Sequence, residues 1–420
     1  MLNSQKKLSN SFYALLSLPA TAMGFALSIQ IAVLSWILDT KYKLNIHEIG
    51  LVWAAGPIAG IFGQVIVGFI SDKVWFWGGR RRPFVIIGGI LAALMILALP
   101  YISEISSFLG LSSIIVVALI VALTLDMAIN ISFNPTRTLI ADVTPEGPTR
   151  TKGYTWMQTI SGFFGVMAYV IGVVFGNYSL IYFGAGLVLV FSLLPLFFIT
   201  EPKSIALEVK DKNYVKKETN IKQLLKIYFA HAFSWIGVQT MFVFVFAFIK
   251  DKFHTENDNN IGQVISISFA VLNTVGFLLP SLVLEPLTEK IGRIKTHYST
   301  LLIMSIAYFV IAFFVNNPIL LYVMMAFLGI GWAAIVSLPF AIMTENVSKD
   351  KMGLFMGIFN LSVVIPQLLV SLVVGYFIQN TPNKSLIFII SGVSLLISFG
   401  LWQLVKDNFV KENSAKNKAK

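Results

Sequence analysis

The chain contains no cysteine, and only 12% of its 420 residues are charged. Without thiols there is no disulfide framework, no thiolate metal site and no cysteine nucleophile. A water-soluble domain carries about 25% charged residues, so water is not the principal solvent of this chain. Histidine is scarce, with four residues, and no His, Asp and Glu cluster has the spacing of metal ligands. No Gly-x-x-x-x-Gly-Lys-Ser/Thr loop occurs, which excludes a Walker-type nucleotide site. The absences together point away from an enzyme and call for no cofactor and no metal. Acidic residues number 20 against 31 basic ones, giving a net charge of +11. The excess base does not imply nucleic acid, because it lies in short loops between apolar runs, where it orients a membrane protein.

What is present is apolar sequence. Hydrophobic residues make up 56% of the chain and the mean hydropathy is +0.80. Twelve apolar runs can be marked, at about 12–38, 48–70, 84–103, 111–140, 153–176, 179–199, 222–249, 261–284, 297–315, 318–343, 353–379 and 384–405. Runs of this length predict transmembrane helices, hence an all-α integral membrane fold embedded in a lipid bilayer. The first run is too long for a signal-peptide core and is read as a retained helix. Lys73, Arg80 to Arg82, Arg150, Lys152, Lys203 to Lys217, Lys290 to Lys295, Lys349 and Lys351 fall in alternate loops, and lysines close the tail. The opposite loops hold only Lys41, Lys43, Lys250, Lys252 and Lys384. The bias predicts an inner-membrane protein with both termini in the cytoplasm.

The polar interval Glu201 to Asn220 interrupts the pattern near its midpoint. It divides a six-helix bundle over 1–200 from another over 222–405, with a linker at 201–221 and a tail at 406–420. A weak repeat accompanies the division: Ser71-Asp72-Lys73 with Gly79-Arg80 is matched by Thr288-Glu289-Lys290 with Gly292-Arg293. Two parallel six-helix halves around a midplane site are the plan of many secondary transporters.

The fourth run carries Asp126 near its middle and Arg137 toward its end. An ionisable residue inside a membrane is expensive and is by default a candidate functional site. Eleven residues bring Arg137 to within about 20° of Asp126 on the helix, roughly 16 Å further along one face, with Asn130 between them. Asp126 is the candidate proton acceptor, and its plain alternative is a structural carboxyl paired to backbone or Asn130. Arg137 either holds polar groups of a transported solute or neutralises Asp126 in one state, or simply snorkels toward the loop.

Five segments carry a resemblance. Gly68-x-x-Ser71-Asp72-Lys73 followed by Gly79-Arg80-Arg81-Arg82-Pro83 resembles the loop signature of the major facilitator superfamily, in the form found in sucrose/proton symporters. Trp53 to Gly60 leading to Gln64 resembles that family's second helix, and Asp126, Asn130, Pro135, Arg137 and Asp142 its fourth. Ser337 to Ala341 resembles helix ten; Gly353, Gly357, Asn360, Pro366, Gln367 and Ser371 resemble helix eleven. Two departures are visible. The family's glutamine in helix one falls at Ser28, with Gln30 nearby as a substitute. Where plant members carry acidic residues late in helix seven, this chain reads Phe244-Val-Phe-Ala-Phe-Ile249.

The resemblance implies a bacterial member of that family with the major facilitator fold, twelve transmembrane helices in two six-helix bundles. It implies a monomeric symporter that takes a neutral sugar, maltose or sucrose, with a proton. Export, sodium coupling and a non-transporting sugar sensor are the alternatives. Sugar binding needs hydroxyl-matching groups and flat apolar surfaces. Candidates are Gln30, Gln64, Asn130, Gln158, Asn360 and Gln367 for the first, and Trp53, Trp235 and Trp332 for the second. Each has a plain alternative: tryptophan anchors at membrane interfaces, and amides join helices by hydrogen bonds. Asp72, Arg80, Arg81, Arg82, Asp142, Glu289 and Arg293 are expected to form a cytoplasmic gate, or merely to set topology. His231 is read as structural.

Overall fold

In the computed structural model the described residues are 8–61, 70, 74–144, 148–201, 219–253, 258–344, 346–347 and 352–406. Among them there is no strand beyond an isolated bridge between Phe76 and Gly79. Ten helices are long and apolar enough to cross a membrane, and two shorter apolar helices, Ile46–Ile61 and Leu386–Trp402, complete the series. These twelve follow the twelve apolar runs of the sequence. The linker over 202–218, the tail from 407, Gln64 and Asp72 lie outside the described residues.

The helices of the first half are α1 (Asn10–Thr40), α2 (Ile46–Trp53), α3 (Arg82–Ala98), α4 (Ile102–Phe108), α5 (Ile114–Val143), α6 (Pro148–Phe175) and α7 (Asn177–Leu193). Those of the second half are α8 (Ile221–Phe253), α9 (Asp258–Leu279), α10 (Glu285–Ile291), α11 (Arg293–Phe314), α12 (Pro318–Thr344), α13 (Met352–Leu369), α14 (Gly375–Asn380) and α15 (Leu386–Trp402). The chain divides into two compact units, Met1–Val209 with Thr255–Ala270, and Lys210–His254 with Val271–Lys420. The first turns of α9 therefore group with the first unit.

Each unit is built in the same way. In the first, α1 packs along α6 and α7, while α3 packs along α5 and α7. In the second, α8 packs along α13 and α15, while α11 packs along α12 and α15. The leading helix of each half is the most enclosed: the apolar stretch of α1 is 83% buried and that of α8 78%, against 17% for α6. Side chains that point away from these cores are large and apolar, among them Phe108, Phe197 and Ile319. Such a surface is unsuited to water and matches hydrocarbon.

Local signals begin and break the helices. Ser9 caps α1 by accepting from the Phe12 amide at 3.2 Å. Asn45 and Glu48 form a reciprocal capping box at the start of α2. Proline lies inside α1, α5, α12 and α13, as membrane helices tolerate when neighbours re-satisfy the backbone. Two π-helical segments, Pro280–Leu284 and Val370–Val374, widen the helices that contain them. At Pro100 the α3 helix tightens into a 3₁₀ turn, Leu99–Tyr101, before α4. Tyr42 braces this break, donating to the Leu99 carbonyl at 2.7 Å and accepting from the Ile102 amide at 2.9 Å. Burial pushes the Tyr42 phenol above its ordinary range.

Hydroxyls join helices where apolar contact alone gives little preference over lipid. Thr21 Oγ1 lies 3.0 Å from Ser161 Oγ, linking α1 to α6. Ser234 and Ser398 oxygens lie 2.7 Å apart, linking α8 to α15, and Ser398 also donates to the Ala230 carbonyl. Both serines are fully buried. Ser398→Ala should lower stability by about 1 kcal/mol, the net value of one such bond. The double variant Ser234→Ala/Ser398→Ala should cost less than the two single losses added, because they share a bond. Thermal unfolding in detergent measures both.

Candidate functional site

The centre of the first unit is polar at one level. Asp126, on α5, is 6% exposed and Gln30, on α1, is 2% exposed. The Gln30 amide donates to Asp126 Oδ2 at 3.0 Å. Among the described residues no cation lies within ion-pair distance of this carboxylate. The chain ends its first short helix at Trp53, and Pro57 follows one turn later. Pro57 has no amide hydrogen to continue the ladder. The break brings Gly56 against the acid, so that a Cβ there would stand 3.3 Å from Asp126 Oδ2. Carboxylate, amide and bare backbone thus meet from three helical segments.

The other nominated residues of this unit occupy varied positions. Asn130 Nδ2 donates to the Asp126 backbone carbonyl at 2.8 Å, one turn back along its own helix. The Trp53 indole donates to Ser35 Oγ at 2.8 Å, and both are buried. Gln158 is exposed on α6. Arg137 is not brought to Asp126. It is exposed, its guanidinium lies 4.1 Å from the centre of the Phe133 ring, and its backbone carbonyl accepts from the Tyr154 hydroxyl. The stripe drawn along one helix face therefore has its acid buried and its base accessible.

The second unit gathers aromatic rings and two amides. His231 stacks on Phe359 with centroids 4.8 Å apart and planes 11° from parallel. The Trp235 indole donates to His231 Nε2 at 2.9 Å, which fixes the ring that meets Trp332 edge-on at 6.0 Å. Phe242 adjoins Trp332 at 5.1 Å. Gln367, on α13, donates to Gln239, on α8, at 3.3 Å. Both tryptophans, Asn360 and Gln367 are half-buried, so indole and amide groups border open space. Gln239, buried at 4%, was not nominated from the sequence. Its signal is a lone amide within the apolar stretch of α8. His231 holds Trp235 in place, consistent with the structural reading.

Four of the nominated gate residues, Arg80, Arg81, Arg82 and Asp142, belong to another polar cluster of the first unit, at the start of α3. Phe76 to Gly79 make a tight turn with two reciprocal backbone bonds of 3.1 and 3.2 Å. Its central residues, Trp77 and Gly78, both have positive φ, as a hairpin turn of the primed kind requires. The turn delivers Arg80, Arg81 and Arg82 to the first turn of α3, whose N-cap residue Arg81 provides no side-chain cap. Glu201 caps it instead. Its carboxylate accepts from the backbone amides of Arg80, Arg81 and Arg82 at 2.8, 2.9 and 2.8 Å. A carboxylate suits the positive end of a helix, and Gly79 leaves the room, since a Cβ there would lie 2.3 Å from Glu201 Oε1.

Arg81 also reaches Asp142 on α5, Nε to Oδ2 at 3.1 Å, with both side chains buried. Asp142 sits one residue before the end of α5, where the helix dipole disfavours a negative charge, and the guanidinium offsets that cost. Arg80 and Arg82 are half-buried. In the second unit Arg293 begins α11 after Gly292, whose φ is 88°; Glu289 precedes it in α10, and its side chain lies outside what is described. The acid that caps α3 is Glu201, which from the sequence served only to mark the linker. The cue was available: an acidic residue directly after the sixth apolar run.

Glu201→Gln removes the charge and one of the two oxygens that serve three backbone amides. Hydrogen bonds to charged groups are each worth about 1.5–3 kcal/mol, so the variant should lose at least one such bond, seen as a lowered melting temperature. Asp142→Asn should be similarly destabilising, and Arg81→Met should restore part of the loss in the double variant, because it removes the stranded charge.

The whole chain has clear relatives. The family model of the Major Facilitator Superfamily matches residues 16–369 and again 227–419. A sucrose transport protein of Oryza sativa subsp. indica is 25% identical over 390 residues, 77% of this chain and 78% of the relative. A sucrose transport protein of Arabidopsis thaliana is 24% identical over 424 residues, covering 84% and 81%. A general alpha-glucoside permease of Schizosaccharomyces pombe is 26% identical over 190 residues, 41% of this chain and 34% of that protein. Among solved structures, the nucleoside transporter NupG superposes with a TM-score of 0.73 at 14% identity, over 95% of this chain and all of the other. The xylose transporter XylE from E. coli gives 0.72 at 13%, over 95% and 97%. Twelve apolar helices, two units of like construction and a family match that spans the sequence lead to one assignment: the chain is a multi-pass membrane protein of the Major Facilitator Superfamily, a family of transporters rather than enzymes.

Proposed function

We propose that this protein imports a neutral sugar together with a proton, by alternating access, across a cytoplasmic membrane in which both termini face the cytoplasm. The observation that carries the reading is the company Asp126 keeps. A carboxylate 6% exposed, inside a membrane span, is bonded to a neutral amide at 3.0 Å rather than to a cation. A lysine or arginine partner would hold it permanently charged. With an amide alone it is free to take up and release a small cation as its surroundings change.

The cargo class rests on two supports. Sucrose transport proteins and an alpha-glucoside permease are similar to this chain, and the polar groups suit a polyol. Amides such as Gln239 and Gln367 offer both donors and acceptors to hydroxyls, while Trp235 and Trp332 supply flat apolar faces to ring C–H groups. Among the described residues no charged side chain belongs to that second cluster, which fits an uncharged cargo. The resemblance to bacterial carriers of disaccharides and glycosides makes maltose or a similar α-glucoside the first candidate cargo and sucrose the second. The stretch Phe244 to Ile249, buried and apolar where plant members carry acids, is the departure that ranks sucrose lower. The unit of transport is the monomer.

Right-side-out vesicles with an imposed inward proton gradient should accumulate labelled maltose. Asp126→Asn should reduce accumulation to simple equilibration while preserving exchange of internal for external sugar. Unchanged accumulation in that variant, or uptake that follows sodium and ignores pH, would sink the coupling claim; expulsion of label would reverse the direction.

Orientation has its own test, made simple by the lack of native cysteine. Single cysteines at Lys43 and Asn317 should react with an impermeant maleimide in intact cells. One at Arg150 should react only after permeabilisation. The opposite pattern would invert the topology.

A further inference from the structure

A cavity of about 300 Å³ lies in the first unit, bordered by the ends of α1 and α6 and the starts of α7 and α9. It lies about 9 Å along α1 from Gln30 and is remote from the cluster at the start of α3. Trp36, which lines it, is 24 residues along α1 from Phe12, and Phe12 packs with Val85, Leu139 and Ile199 at the Arg81 end. At 1.5 Å per residue the cavity is about 36 Å from that end, on the outer side in the proposed orientation.

Its lining is built from amides and aromatic rings. Asn177, Asn260 and Gln263 contribute the amides, and Trp36 and Tyr178 the rings, which meet edge-to-face at 5.3 Å. None of the described lining residues is charged. Asn177 is 5% exposed. Its Oδ1 accepts from Ser266 at 3.3 Å, whereas its buried Nδ2 has no partner. A buried amide donor left unmade costs on the order of 1–3 kcal/mol, so such a group is rare without a reason. Gly262 packs closely against it, and a Cβ there would stand 2.5 Å from Asn177 Nδ2 and 3.1 Å from Trp36 Nε1.

We infer that this cavity is a second, outward sugar subsite, which holds a single pyranose unit through Asn177, Asn260 and Gln263 against Trp36 and Tyr178. The volume is at the lower bound of ligand pockets, about 300–1,000 Å³, and suits one ring rather than a disaccharide. Amides pair with hydroxyls in either direction, and an aromatic pair offers a flat apolar face together with a phenol. The lack of charge selects a neutral ligand. A ligand hydroxyl accepting from Asn177 Nδ2 would supply the missing bond. The inference rests on the reading of the cargo as a neutral sugar, and extends it to a docking point that cargo or its terminal ring meets before the central path.

The eight tryptophans make the test local. Protein carrying 5-fluorotryptophan is placed in nanodiscs, and the Trp36 fluorine resonance is assigned with Trp36→Phe. Glucose and maltose are then titrated separately. A saturable shift of the Trp36 resonance is expected with both. It should persist in Gln367→Ala, where sugar exchange in liposomes is impaired. It should weaken at least tenfold in Asn177→Leu and in Gln263→Leu, the second variant guarding against misfolding of the first. Before sugar is added, resonances of the other tryptophans that match the parent protein report the fold of each variant; Trp235 and Trp332 are expected to shift with maltose at the central site. No Trp36 shift with either sugar, in protein that still exchanges maltose, would overturn the subsite and leave the transport reading intact. A shift that disappears in Gln367→Ala would equally overturn it, since the signal would then be conformational. Failure of exchange with every neutral sugar would strike the transport reading, whereas the Trp36 titration judges the subsite separately.

Discussion

One hydrogen bond sets the terms for the first unit: Gln30 to Asp126, 3.0 Å, between two helices buried from water. A carboxyl group in hydrocarbon must be neutral, paired or hydrogen-bonded. Here the partner is an amide, which satisfies one oxygen without cancelling a charge. The surrounding architecture keeps that arrangement possible. The break before Pro57 admits Gly56 backbone beside the acid. Asn130 spends its own amide on the Asp126 carbonyl, leaving Gln30 as the side chain that meets the carboxylate. Two residues earlier on α1, Ser28 bonds its own helix at Gly24, and Gln30 takes the contact with the acid.

The same unit handles charge differently at the start of α3. There the carboxylates of Glu201 and Asp142 are matched to three backbone amides and to Arg81. Such contacts are strong in place and costly to break by removing one member. They connect the end of the first half's last helix to the beginnings and ends of α3 and α5, which are far apart in sequence. In an alternating-access cycle, bonds of this kind give one conformation a defined stability. Under the proposed function Asp126 needs the contrary property, a partner that lets its protonation change, and the two acidic clusters would then serve separate tasks, latch and coupling, within a single bundle.

The second unit contains no counterpart of Asp126 among its described residues. It offers rings and amides, with His231 acting as acceptor for Trp235 and Gln239 as acceptor for Gln367. Repeated architecture has here been given different chemistry in its two copies. In the proposed cycle the first unit supplies the coupling acid and the second supplies surfaces for the ring faces and hydroxyls of the cargo.

Much of this was legible without coordinates. Hydrocarbon forces each spanning segment to satisfy its backbone internally, so twelve apolar runs determined twelve helices, and the basic loops carried an expectation of orientation. The superfamily loop and the cost of a buried acid drew attention to Asp126 from residue type alone. Side-chain partners were another matter. Helical periodicity put Arg137 on the face of Asp126, but which part of that face is covered and which stays open depends on neighbours, and Arg137 came to lie over Phe133. Glu201 lies 121 residues from the amide it caps, and Gln239 is 128 residues from Gln367; no local pattern encodes such pairs. Periodicity specifies where a side chain sits on its own helix, and only the packing of helices against one another decides what it touches.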